Sequence, residues 1–396
     1  MKNKKLSFNY FIHSPIVAAA FLMATSAIGP GFLTQTAVFT NTLLASFGFI
    51  ILISILLDIG AQLNIWKILG ASGMRAQVLA NKIIPGSGYI LTLLIVIGGI
   101  AFNTGNLAGA GLGLNVITGW STETGAIISA IIAIIIFTNK DSLKWMDIFA
   151  KALGMIMIVL TLYVVFISKP PLGEALQKSI LPDKIDFLAI ITLVGGTVGG
   201  YISFAGAHRL IDAGLTGAKH SKEVGQSAIS AILIASTMRI LLFLAALGVL
   251  SKGLSLDSTN PAASVFQLAA GKIGYLIFGV IMWSAAITSV VGAAYTSISF
   301  LKSFHHLIEK YEKGLLVGFV LISLSIFIYV GKPVKTLVFV GALNGFILPI
   351  ALGIVLLSVR KKKIIGEYKH PLWLTIFGLL VMAATIYVGL KAALSL

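Results

Sequence analysis

Two charges lie where the chain is otherwise apolar. Asp58 falls deep in one hydrophobic run, and Arg239 sits in the middle of another, with about 15 run residues before it and about 12 after, too far from either end to snorkel to water easily. A guanidinium so placed needs a partner. Either Asp58 supplies it as a buried ion pair, or Arg239 presents its planar donor fork to a carboxylate solute; the sequence leaves both open. Two other basic sites have plainer explanations. Lys151, near the start of its run, can snorkel to the surface, and His208-Arg209 can close a helix, where cations suit the carboxyl-terminal dipole. Amides and hydroxyls gather nearby: Thr34, Gln35 and Thr36; Asn103, Thr104 and Asn106; Ser236 and Thr237; Thr288 and Ser289; Asn344. Singly, each is expected to bond a backbone carbonyl; their clustering points to a polar site.

Other chemistries are missing. There is no cysteine, no His-x-x-His and no paired carboxylate, so no metal ligands can be assigned. Nor is there a Gly-x-Ser-x-Gly, a phosphate-binding glycine loop or a zinc-protease helix, so neither an enzyme nor a cofactor is expected. The net charge of +16 could suggest nucleic acid. The basic residues fall in short loops between apolar runs, where membrane topology explains them better and no nucleic-acid partner is expected.

The elements that must position these residues are membrane spans. With 58% hydrophobic and 11% charged residues in 396, and many runs of 18 or more apolar positions, the chain reads as an all-α integral membrane protein whose partners are the lipid bilayer and a small solute or ion. Hydropathy gives about eleven spans, at roughly 15–44, 46–69, 87–117, 123–138, 146–168, 187–208, 224–251, 273–298, 315–331, 336–358 and 371–395. The first is too long for one straight crossing, which needs ~20 residues, and Gly29-Pro30-Gly31 at its centre breaks a helix. Unwound backbone at that depth is tolerated where it is buried in protein or lines a watery cavity. The sixth run carries a similar flaw, Gly195-Gly196-Thr197-Val198-Gly199-Gly200. Two broken spans five apart are the pattern of an inverted five-plus-five repeat, here 15–168 and 187–358 with 371–395 as an extra helix. The breaks nominate Gly29, Gly31, Phe32 and Gln35, Gly199, Gly200 and Tyr201, and with them Arg239, as solute-binding residues. The Gly105-xxx-Gly109-xxx-Gly113 ridge reads instead as helix packing.

With the amino terminus in the cytoplasm and the carboxyl terminus outside, cytoplasmic segments hold roughly 19 Lys and Arg against about 8 outside. The basic start lacks a small-residue cleavage site after a short apolar core, so a retained span in the cell membrane is expected.

These residues resemble the NRAMP family of secondary transporters, which share the LeuT-like fold. The resemblance rests on Ala27-Ile28-Gly29-Pro30-Gly31, where the family usually has Asp-Pro-Gly-Asn, on Gln62 and the Gly70-Ala71-Ser72-Gly73 turn, on Gly109 and Leu114-Asn115, on Gly196-Thr197-Val198, and on Leu348-Pro349. It implies alternating-access transport of a divalent metal, coupled to protons or sodium. The departures fall on the chemistry. Gly29 and Phe32 stand at the metal-binding Asp and Asn, and Gly199-Gly200-Tyr201 replaces Met-Pro-His. Asn103 and Asn106, which cannot titrate, replace an acidic pair implicated in proton movement, so proton coupling would need another group such as Asp58 or His208, and Arg239 replaces a seventh-span Asn. A bare divalent cation beside a fixed Arg is poorly compensated. An organic anion could take hydrogen bonds from half-helix amides at the breaks, reinforced by Arg239.

Overall fold

A computed structural model of the protein describes residues 15–138 and 140–394, with side chains outside 138–153, so the side chain of Lys151 lies outside the described residues. In chain order the helices are α1 (Pro15–Ala27), α2 (Pro30–Leu43), α3 (Phe47–Ser72), α4 (Ala76–Ile83), α5 (Ser87–Thr118), α6 (Thr122–Thr138), α7 (Lys140–Ser168), α8 (Leu172–Ile180), α9 (Phe187–Val198), α10 (Ile202–Asp212), α11 (Ser221–Leu250), α12 (Pro261–Lys302), α13 (His306–Lys310), α14 (Glu312–Val330), α15 (Pro333–Leu357), α16 (Lys362–Ile365) and α17 (Leu372–Leu394). No strand occurs among the described residues. The long helices are apolar around most of their circumference, which suits a solvent of lipid and packed helices, where each backbone group must be satisfied within its own segment.

By length and composition, eight helical stretches of the described residues can cross a membrane, or nine if Gly154–Ser168 and Leu172–Ile180, bent by 106°, are one. The count reconciles with eleven on inspection. One of the eight, Pro30–Ser72, has 43 residues, about twice a single crossing. It is divided at Leu44, whose φ of 49° no regular helix adopts. The shorter apolar helices Pro15–Ala27 and Thr122–Phe137 complete the first span and supply the fourth.

Two expectations shift. The eighth span begins at Pro261 instead of 273, capped by Asn260, whose side chain accepts from Ala263 N. It kinks at Gly271 (φ 64°, ψ −160°), so hydropathy finds only the part beyond the kink. In the sixth span the interruption starts later than Gly195. α9 continues through Val198, then Gly199 is extended (φ −79°, ψ 160°) and Gly200 is left-handed (φ 54°). Gly195 and Gly196 stay helical because they serve a close approach. A Cβ on Gly195 would overlap Gly341 O and Gly345 of α15, and one on Gly196 would lie 2.7 Å from Gln35 Oε1. Small residues let the helices meet at backbone distance.

The buried side chains form two clusters. The larger joins α1, α2, α3, α9, α10, α11 and α15, and holds both broken spans. The second joins α5, α6, α12 and α14 through Leu107, Ala130, Val290, Phe319 and their neighbours. The third-span glycine ridge packs as expected. Gly105 faces Val340, Gly109 faces the Pro30 ring, and Gly113 faces the Trp283 backbone.

Candidate functional site

The first break is made of backbone. Gly29 is extended (φ −102°, ψ −176°) and caps α2 without a side-chain hydrogen bond, and Pro30 follows as the first helical residue. Gly29 N turns back to Ala27 O at 2.8 Å, and Ile28 N to Ala24 O at 2.8 Å. The start of α2 thus leaves the amides of Gly31 and Phe32 without intrahelical acceptors, at the positive end of the helix dipole. Ser289 of α12 and Asn106 of α5 close on the same point, since a Cβ on Gly29 would lie 3.1 Å from Ser289 Oγ and 3.5 Å from Asn106 Oδ1. Beside the break is a cleft of about 260 Å³ of empty space, its open mouth included, lined by Gly29, Gly31, Phe32, Phe102, Asn106 and Gly196, with Leu337 and Val340 on its apolar side. No carboxylate lines it. Ser289 Oγ and Asn106 Nδ2 are buried without partners.

Arg239 sits directly behind Phe32. It is 3% exposed, its guanidinium carbon lies 4.0 Å from the Phe32 ring centroid, and Nη1 donates to Thr197 Oγ1 at 2.9 Å. Its Nε and Nη2 have no acceptor. Asp58, 1% exposed, is within coulombic reach of Arg239 and hydrogen-bonding influence of Thr197, and its Oδ1 is unpartnered. The two charges stop short of an ion pair. Those among the described residues are Arg75–Asp212, Lys178–Asp183, His220–Glu223 and Lys302–Glu312. Arg239 bonds Thr197 where a direct bridge was one of the two expectations.

The second break approaches the cleft through Tyr201, which stands behind its wall. The Tyr201 phenol lies beside the Asn106 side chain, and its ring meets Phe102 edge-on at 5.5 Å and 87°. Gly199 and Gly200 lie behind it against Asn344, whose Nδ2 donates to Val340 O at 2.9 Å and Gly98 O at 3.2 Å. Gln35 does not line the cleft; its Nε2 donates to Leu337 O at 2.8 Å and ties α2 to α15. Asn103 is fully buried with both ends of its amide unpartnered. His208 is elsewhere. Its Nε2 accepts from Ala76 N at 3.3 Å, the first amide of α4, and its ring packs on Phe300 at 5.2 Å. Arg209 is exposed. Sequence reasoning missed Phe102 altogether, named Thr197 only as part of the sixth-span break, and placed Ser289 among hydroxyls too common to single out.

Comparison with known proteins fits this geometry. Residues 10–395 match the family described as natural resistance-associated macrophage protein-like. The chain belongs to the NRAMP family. This NRAMP chain is 59% identical to the membrane protein YcsG of Bacillus subtilis over 95% of its own length and 93% of the relative's. Its fold is similar to that of a mutant of the manganese transporter of Eremococcus coleocola, with a TM-score of 0.75 at 15% identity over 99% of this chain and 88% of that one. It is also similar to MhsT in complex with L-phenylalanine, with a TM-score of 0.66 at 16% identity over 95% and 98% of the two chains. The fold is therefore LeuT-like, and the protein is an integral membrane transporter.

Within that fold, the NRAMP chain presents donors at its centre. Among the described residues no group of three His, Cys, Asp or Glu could hold a metal ion. What faces or flanks the cleft is two helix-start amides, the Asn106 amide, the Ser289 hydroxyl and, behind one aromatic ring, a guanidinium with free N–H groups. Such a set is suited to an anion, and it offers a hard cation no charged oxygen.

Proposed function

We propose that this NRAMP protein is a secondary transporter of a small organic solute bearing a carboxylate, working by alternating access around the two breaks. The solute carboxylate takes hydrogen bonds from the Gly31 and Phe32 amides and from Arg239 once the Phe32 ring moves aside, while Phe102, Leu337 and Val340 cover an apolar body. The observation that carries this is Arg239, a buried guanidinium with Nε and Nη2 unpartnered, beside a cleft with no carboxylate in its walls. Leaving such a group unsatisfied costs about 1–3 kcal/mol or more, and an arriving carboxylate removes that penalty. The inverted repeats 15–168 and 187–358 supply the moving parts, with the amino terminus cytoplasmic, the carboxyl terminus outside and the cell membrane as the site.

A second possibility is divalent metal transport, favoured by the family and by the manganese transporter of similar fold. Here backbone carbonyls, Asn106 and Ser289 would be the ligands. Binding to purified protein separates the two. The expected result is calorimetric binding of one or more of L-lactate, L-proline and succinate, lost in Arg239→Gln/Asp58→Asn, with no response to manganese. Saturable manganese binding unchanged in the double variant would overturn the carboxylate assignment.

A further inference from the structure

We infer that Asp58 carries a coupling proton: a solute carboxylate that engages Arg239 strips Asp58 of its counter-charge, and Asp58 then takes up one proton, so that proton and carboxylate cross together. This rests on the carboxylate assignment proposed above and adds to it a driving ion and a stoichiometry.

The argument begins with charge. Arg239 and Asp58 are both at least 97% buried, so together they leave their surroundings neutral. A carboxylate brought to Arg239 adds a negative charge to the same volume. An uncompensated charge inside a protein is strongly disfavoured, and protonating one of the two carboxylates restores neutrality. The solute is held by Arg239 and the helix amides, whereas Asp58 keeps no charged partner. Asp58 is therefore the group that protonates.

The geometry permits the exchange. Because Asp58 and Arg239 do not form a direct ion pair, the guanidinium can re-aim without breaking a bidentate bridge. Its present bond is to Thr197 Oγ1 at 2.9 Å, and Nε and Nη2 are free. Thr197 donates its one hydroxyl proton to Leu193 O at 2.9 Å and lies beside the Asp58 carboxyl. With that proton on Leu193, its oxygen is left to accept from a protonated Asp58. Of the elements packed on α3, α11 brings Arg239 and α9 brings Thr197, and among the described residues no other charge acts on Asp58. Asp58, Thr197 and Arg239 lie on the second, sixth and seventh spans, which share one packing cluster with the first break. The proton site and the solute site thus belong to the same body.

The balance is simple. One proton enters with one carboxylate from one side, Asp58 is neutral while the solute is bound, and both leave on the other side. Transport is electroneutral for a solute of net charge −1 such as L-lactate, and one pH unit then supports about tenfold accumulation.

The test uses proteoliposomes of the full chain containing a trapped pH dye, with radiolabelled L-lactate, L-proline and succinate as probes and protein-free vesicles to subtract leak. Wild type is expected to take up a carried probe with about one proton, independent of sodium and, for L-lactate, independent of membrane potential. Asp58→Asn, which mimics the protonated side chain, is expected to keep probe exchange between the two sides within a few-fold, yet to lose accumulation driven by a pH gradient. Carboxylate uptake by wild type without proton entry, or driven by sodium, overturns the coupling and leaves the carboxylate assignment standing. The same holds if Asp58→Asn still concentrates the probe on a pH gradient. Absence of any probe flux in wild type overturns both. The proton measurement on wild type stands even if the variant fails to fold.

Discussion

Arg239 and Asp58 test one another at the scale of single residues. Removing one member of a buried charge pair leaves the other uncompensated, a loss of about 3–5 kcal/mol, whereas removing both is close to neutral. Arg239→Gln and Asp58→Asn should each lower the unfolding temperature in detergent, and the double variant should recover most of the loss; strict additivity would show that the two do not sense each other. Gly29 offers a converse experiment. A side chain there points at Ser289 Oγ and Asn106 Oδ1, so Gly29→Asp would set a carboxylate among oxygens at the break. It is expected to create measurable manganese binding and to abolish carboxylate binding; a variant that still binds carboxylate as wild type does would place the solute elsewhere. Both charges were legible in the sequence, because an ion in an apolar run stands out. The bond of Arg239 to Thr197 was not, since a hydroxyl one residue from the end of a helix carries no signal of its own.

Among the elements, the two breaks were legible to different degrees. Proline fixed the first to within a residue, because it removes an amide and clashes with a continuing helix. Six residues containing four glycines blurred the second, since glycine serves both breaks and close packing. The structure separates the two uses. Gly200 has φ 54°, and a Cβ there would overlap Asn344 Oδ1, while Gly214 has φ 75° with nothing within 4 Å. Gly200→Ala is therefore expected to lose about 2–5 kcal/mol, strain and overlap together, and Gly214→Ala only about 1–2 kcal/mol. Equal losses in denaturation would mean that the Asn344 contact has no weight.

The junction of α3 and α17 was not foreseen. His370 lies just before α17, with its Nε2 2.9 Å from Asn64 Oδ1 and its Nδ1 3.2 Å from the Tyr368 hydroxyl. Asn64 Nδ2 already donates to Gly60 O and Leu374 O. His370 Nε2–H therefore donates to Asn64, and Tyr368 donates to a neutral Nδ1. Burial, and then the positive charge of Lys67, lower its pKa from 6.5 to about 4. Between those values the folded protein holds fewer protons than the unfolded chain, so stability should fall as pH drops from about 6.5 to about 4 and flatten below. Thermal unfolding of wild type against His370→Gln across that window should show the slope only in wild type. Parallel profiles would remove His370 from the linkage.

For the whole molecule, the sequence indicated span number, order and fold because hydropathy and helix breaks are local properties. The division of the core was hidden. That α6 and α14 pack on one face of α5 and α12 as a cluster of their own, while other faces of α5 and α12 enter the larger cluster holding both breaks, depends on which apolar faces meet, and all the faces are apolar. A LeuT-like scaffold does not fix the solute, so the chemistry at the centre decides it. Initial uptake rates of the three carboxylates and of manganese into one batch of proteoliposomes test this most directly, with protein-free vesicles as the baseline. Saturable flux of at least one carboxylate, undiminished by excess manganese and with no manganese entering, is the predicted result; saturable manganese flux with no carboxylate entering would contradict it.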